Sequence, residues 1–238
     1  MRIKITFSYD GSKFNGFQRL NNLRSVQKDI EDALMIIYGE KIEIKGAGRT
    51  DAKVHANGQV AHFDVIKKSD GLKDKLNKLL NPDITIKAVK KVNVDFHARK
   101  TAKKKEYIYK INLGAYQSSL NDYYYQPRYK IDISLMKDAS KLFLGTHDFH
   151  NFVAGERDNY ITTIYSITFT KTFGKLEIRF IGVGFYRYMV RNLVGALLEV
   201  GKYKIRRDVI REMLENPNKP KSLPTAPAEG LYLNKVWY

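Results

Sequence analysis

The stretch Gly46-Ala47-Gly48-Arg49-Thr50-Asp51-Ala52-Lys53-Val54-His55 sets a guanidinium, a hydroxyl and a carboxylate on successive residues. Glycines at 46 and 48 free the backbone for a tight or left-handed path. The apolar run Gln59-Val60-Ala61-His62-Phe63 follows at once and reads as a strand. A cation, a hydroxyl and a carboxylate on a glycine-hinged loop beside a rigid strand make the pattern of a reaction centre. In such a centre a carboxylate serves as nucleophile, base or electrostatic stabiliser. The simpler reading is that Asp51 caps a turn, as most loop aspartates do. Spacing alone leaves both readings open.

The other titratable groups are less telling. His55 and His62 flank the strand near Asp51 and Asp64, and His147 and His150 bracket Asp148, but none forms a compact metal motif. They read as structural histidines, so no metal is expected. Asp10 and Asp148 each precede turns and read as local caps. The chain has no cysteine, which excludes disulfides and thiolate metal sites. A metal-dependent nuclease fits poorly, since no acidic cluster is evident.

Those residues need a scaffold, and 238 residues suffice for one large domain or two packed halves. With 43% hydrophobic residues the chain is expected to fold. No apolar run reaches bilayer-spanning length, and Met1-Arg2-Ile3-Lys4-Ile5-Thr6-Phe7 alternates as a strand does, unlike a secretory signal. A cytoplasmic protein is expected. The net charge of +17 favours a nucleic-acid partner, because phosphate neutralisation releases counterions. An acidic membrane surface is the competing partner, but no long basic amphipathic helix stands out. The 16 tyrosines and 12 phenylalanines are enough to supply both a core and rings that stack on splayed bases.

Periodicity predicts strands over 3–9, 43–45, 59–65, 84–92, 107–112 and 231–237, with a hairpin of 161–172 and 176–181 across Phe173-Gly174. Helices are predicted over 25–38 behind a Ser25 cap, 72–80 before Pro82, 134–144 behind a Ser134 cap, 185–200 and 207–215. Strands, then a helix, then strands, twice over, predict an α+β fold of two related halves. The halves are expected at 1–113 and 131–238, joined by the irregular segment 114–130.

Several windows then add up. Gly48-Arg49-Thr50-Asp51-Ala52 with Val54-His55-Ala56 resembles the signature of the tRNA pseudouridine synthase A family. Tyr9-Asp10-Gly11-Ser12-Lys13-Phe14-Asn15-Gly16-Phe17-Gln18 resembles its opening motif, and Ser25-Val26-Gln27 the start of its first helix. Asp95-Phe96-His97-Ala98-Arg99 and Lys105-Glu106-Tyr107-Ile108-Tyr109 resemble its middle motif and the strand after it. Gly184-Phe185 with Met189-Val190-Arg191-Asn192 resembles its late helix, and Ala226-Pro227-Ala228-Glu229-Gly230-Leu231-Tyr232-Leu233 its terminal strand. The windows come in family order over nearly the whole chain.

The resemblance implies a pseudouridine synthase fold, in which two α/β halves join largely antiparallel sheets around a basic cleft. It implies isomerisation of uridine to pseudouridine in the tRNA anticodon stem-loop (tRNA positions 38 to 40), without a cofactor, by a homodimer whose RNA spans both subunits. Moving uracil from an N1 to a C5 linkage breaks a glycosidic bond, and Asp51 is the carboxylate that meets the electron deficiency at C1′. Arg191 is the matching cation that keeps Asp51 ionised, and Tyr107 sets its ring against the target uracil. Arg49, Thr50, His55, Arg99 and Arg187 are the substrate-binding candidates. Two features depart from the family: Lys53 stands where it usually has glycine, and Tyr186-Arg187-Tyr188 is bulkier and more basic than usual. Both leave open a ribosomal RNA substrate. A non-catalytic RNA-binding protein is the alternative of another class, although binding alone needs none of Asp51, Tyr107 and Arg191 in particular.

Overall fold

A computed structural model describes residues 1–67, 69–217 and 222–238. The chain packs as two compact units: residues 1–103 together with 232–238, and residues 104–231.

In the first unit, β1 (Arg2–Tyr9) buries Ile3, Ile5, Phe7 and Tyr9 on one face. It pairs antiparallel with β3 (His55–Asp64) on one side and β4 (Ile84–Val92) on the other. The strand β2 (Lys45–Gly46) adds to β3 antiparallel, and β9 (Leu231–Trp237) adds to it in parallel through His55↔Tyr232 and Ala56↔Leu233. Helix α1 (Val26–Tyr38) starts where Ser25 Oγ accepts the Lys28 N–H, and it buries Val26, Ile30, Ala33 and Leu34. Its C-terminus turns off at Gly39, φ 74°. Helix α2 (Leu72–Leu80) buries Leu72, Leu76 and Leu80 beside β4.

In the second unit, β5 (Lys104–Asn112), β8 (Lys175–Gly182), β7 (Ile161–Thr172) and β6 (Gly145–Asp148) pair antiparallel in that order. Helices α3 (Ile133–Ser140) and α4 (Met189–Gly201) pack against each other, with α5 (Arg207–Glu215) beside α3. The α+β fold class read from the sequence holds: each unit carries a largely antiparallel sheet and its own helices.

The units follow packing where the halves expected from sequence follow chain order. β9 comes from the end of the chain yet pairs with β3. Residues 114–130 lie inside the second unit, held to β5 by Asn112 N–H to the Tyr125 carbonyl (2.8 Å) and Tyr125 N–H to the Lys110 carbonyl (3.0 Å). Two helix starts also differ. Asp132, and not Ser134, caps α3, accepting the N–H groups of Ser134 and Leu135, and the helix ends at Ser140 before a tight turn over 141–143. α4 begins at Met189 and not Phe185, because Tyr188 sits at φ 61° and interrupts the helical path. The predicted strand 43–45 reduces to Lys45–Gly46. Among the described residues no helix is long and apolar enough to cross a membrane.

Candidate active site

Of the tight or left-handed path expected at Gly46 and Gly48, neither glycine takes the left-handed form. Gly46 is there for space: a Cβ on it would lie 2.5 Å from Phe17 Cζ. The left-handed positions are Gly16 (φ 105°) and Lys53 (φ 66°). Asp51 opens a four-residue turn closed by Val54 N–H to its carbonyl (3.2 Å), and Lys53 is the third residue, where turns with positive φ usually carry glycine. Lysine takes this geometry at a cost of roughly 1–2 kcal/mol. The substitution that set this chain apart in sequence therefore leaves the turn left-handed at that position and adds an exposed cation beside the carboxylate.

The turn is braced on several sides. Ala47 N–H bonds the Val60 carbonyl (2.7 Å), Phe17 N–H bonds the Thr50 carbonyl (3.0 Å), and the Gln59 amide donates to the Gly48 carbonyl (2.9 Å). Tyr9 and Thr50 join hydroxyls at 2.7 Å. Burial pushes the Tyr9 phenol up to about 12, so it stays neutral in this bond. His55 is buried, with its Nδ1 accepting the Gly11 N–H at 3.0 Å and its ring stacked on Tyr232 at 4.5 Å. Gly11 reaches that close because it has no side chain: a Cβ there would lie 2.2 Å from the Val54 carbonyl oxygen. Asp51 is left half-buried, while Arg49 and Lys53 are exposed.

Of the binding candidates on this loop, Thr50 and His55 are thus turned inward and hold the backbone, and Arg49 faces solvent. Arg99, also exposed, rides a turn whose backbone is pinned from within: His62 Nδ1 accepts the Ala98 N–H (3.1 Å), and Tyr238 Oη donates to the Ala98 carbonyl (2.8 Å). Burial, then the nearby His97 and Arg2, lower the His62 imidazole to about 4, which keeps Nδ1 an acceptor at neutral pH. Asp10 and Asp148 cap locally as expected, accepting the N–H groups of Ser12 and His150. Among the described residues no three His, Asp or Glu side chains gather as a metal site.

In the second unit, Tyr107 is the fourth residue of β5 and not its first, within a run buried from Glu106 to Tyr109. Its ring meets Phe185 edge to face at 5.3 Å. Arg191 is half-buried on α4; its Nε donates to the Ala226 carbonyl (2.8 Å), and its guanidinium lies 4.8 Å from the centre of the Tyr188 ring. Its backbone carbonyl accepts the Ala226 N–H, so the guanidinium is aimed by two bonds to one residue. Arg187 is exposed, and its guanidinium lies 5.1 Å from the centre of the same Tyr188 ring. The braces Tyr9, Gly11, Gly16 and Gln59 were not legible as site residues. Tyr9, Gly11 and Gly16 fall in the window that resembles the family's opening motif, but neither that window nor the strand residue Gln59 signals contact with the Asp51 loop.

A family model described as tRNA pseudouridine synthase matches residues 5–99 and 139–238. The chain belongs to the tRNA pseudouridine synthase family. It is similar to the tRNA pseudouridine synthase A of Thermodesulfovibrio yellowstonii, with 41% identity over the whole of both chains. It is 39% identical to that of Bacillus subtilis and 42% identical to that of a Geobacillus species, over all of this chain and 99% and 98% of theirs. The chain is accordingly an isomerase that makes pseudouridine in tRNA.

Proposed function

We propose that this tRNA pseudouridine synthase acts on uridine in the anticodon stem-loop, with Asp51 as nucleophile or base at C1′ and no cofactor. The observation that carries the assignment is the placement of one half-buried carboxylate on a turn fixed by Tyr9, Gly11, Phe17 and Gln59, between exposed Arg49 and Lys53. A fixed carboxylate meets a developing cation without reorganising. Tyr107 holds the uracil ring, Arg191 keeps Asp51 ionised, and Arg49, Arg99 and Arg187 engage phosphates, with Thr50 and His55 positioning the loop. The enzyme works in the cytoplasm as a homodimer. Mapping pseudouridine in total RNA from cells with and without the gene tests the substrate. Loss confined to the anticodon stem-loop is expected; loss confined to ribosomal RNA sinks the assignment.

The +17 charge supports a broad phosphate footprint. If about five phosphates are neutralised, log Kd against log salt has a slope of magnitude about 3.5–4.5. Titrating tRNA binding from low to moderate salt measures it, and a slope near zero would remove RNA as the reason for the charge.

Arg191→Leu is expected to lose more activity than Arg191→Lys, by roughly 1.5–3 kcal/mol of barrier, because only leucine removes the positive charge that this reading assigns to position 191, while exposed Arg49 and Lys53 are the more screened cations. Removing a nearby positive charge raises the pKa of a half-buried carboxylate, and the ionised form does the work. The acid limb of the rate profile therefore moves to higher pH in the leucine variant. Superimposable pH profiles for both variants and the native enzyme would break the link between Arg191 and Asp51.

A further inference from the structure

We propose that the second unit carries a separate pocket that holds one unpaired nucleobase of the RNA. The proposal rests on the tRNA-modifying reading for its ligand and on different residues for its site. A cavity of about 520 Å³ opens beside the start of α4, lined among others by His150, Glu156, Tyr160, Tyr188 and Asn192. That is within the range of small-molecule sites, roughly 300–1,000 Å³.

Its wall is an aromatic platform. The rings of His150 and Tyr160 stack at 4.2 Å with 24° between planes; both line the cavity, and His150 is exposed there to a further ring. The platform is rigid. Tyr160 Oη accepts the Arg157 N–H (2.9 Å) and donates to the Gly155 carbonyl (3.3 Å), which ties the 155–160 loop around it. Three other lining residues are tied together: the Asn192 amide donates to the Phe152 carbonyl (2.9 Å) and accepts the Thr225 hydroxyl (2.7 Å). A preformed face that needs no ordering on binding is what base stacking exploits.

The charges around it sort by role. Three guanidiniums lie on nearby rings: Arg157 over Tyr186 at 4.3 Å, and Arg187 and Arg191 over Tyr188 at 5.1 and 4.8 Å. Exposed Arg157 and Arg187 suit the backbone phosphates. Glu156 is the carboxylate in the lining, and it disfavours a phosphate inside the cavity. It suits the exocyclic amino group of a base, as carboxylates do toward cytosine N4. An aromatic face and an acceptor in the lining, with cations outside, describe a nucleotide held base-first. A free inorganic anion would meet Glu156.

The test is a binding cycle, independent of turnover. Single abasic sites are scanned through the loop of an anticodon stem-loop RNA, and Kd is measured for the native enzyme, His150→Ala and His150→Trp. One abasic position is expected to weaken native binding about tenfold, the scale of one lost stack. His150→Ala is expected to lose the same tenfold on intact RNA and to be indifferent to that abasic site, while the larger ring of His150→Trp keeps the native affinity and penalty. Arg157→Ala weakens binding at every position without selecting one. Penalties that are additive with His150→Ala at every position, or equal losses for the alanine and tryptophan variants, overturn the proposal. An enzyme that passes this cycle but makes no pseudouridine in that RNA would instead sink the reading of its reaction.

Discussion

Asp51→Asn is expected to stop pseudouridine formation while the enzyme still binds tRNA. Asparagine keeps the shape of the side chain and is accepted at the first position of a turn as readily as aspartate, so the Asp51–Val54 turn and the melting temperature stay as they are. What goes is the charge that meets C1′ as the glycosidic bond breaks. Loss of a nucleophile removes at least ~4 kcal/mol of barrier lowering, about a thousandfold in rate. Affinity should hold or rise slightly, since a negative charge beside exposed Arg49 and Lys53 opposes phosphate binding. Single-turnover conversion at saturating tRNA, read beside Kd for the same variant, separates the two. A rate within tenfold of the native enzyme would remove Asp51 from the chemistry and leave it the turn-capping residue of the simplest reading.

What the sequence discloses depends on how local each cause is. The alternation of Ile3, Ile5 and Phe7, the Ser25 cap, the Leu72–Leu76–Leu80 stripe and the Phe173-Gly174 turn act within a few residues, and the elements they mark stand where periodicity puts them. β6 was missed because Gly145-Thr146-His147-Asp148 has no apolar alternation; pairing with β7 alone makes it a strand. Likewise β3 starts at His55 because Tyr9 and Tyr232 pair with it from distant parts of the chain. At the site, the residue types were legible and their supports were not. Asp51 and Arg49 stand out by chemistry and by family resemblance. Thr50 and His55 look like binding groups and are instead spent on Tyr9 and Gly11, since only the fold says which polar groups are already satisfied. Gly46 and Gly48 suggest a tight or left-handed path; Gly46 serves close packing, and a lysine at 53 takes the left-handed position.

The same distinction gives the second large effect, at Gly11. Its φ is not in the left-handed region, so its missing side chain is required by proximity alone. An alanine Cβ would lie 2.2 Å from the Val54 oxygen, 2.4 Å from the Val54 carbonyl carbon and 2.8 Å from the His55 nitrogen. All three are backbone atoms, and Val54 N–H closes the turn that begins at Asp51. The backbone must withdraw by about 1 Å to restore an ordinary contact, and the turn moves with it. Overpacking of this kind costs ~1–3 kcal/mol of stability, and a displacement of that size at a reacting group costs up to about a hundredfold in rate. Gly11→Ala is therefore expected to fold, to melt several degrees lower, to bind tRNA near the native Kd through exposed Arg49 and Lys53, and to turn over about a hundredfold more slowly. Gly39→Ala supplies the comparison: beyond its chain neighbours no atom lies within 4 Å of its added Cβ, but its φ of 74° makes alanine strained, so it too loses about 1 kcal/mol, at the C-terminus of α1. If slow turnover merely followed lower stability, both variants would slow alike. A Gly11→Ala enzyme within threefold of the native rate would mean that the Asp51 turn does not rest on this contact.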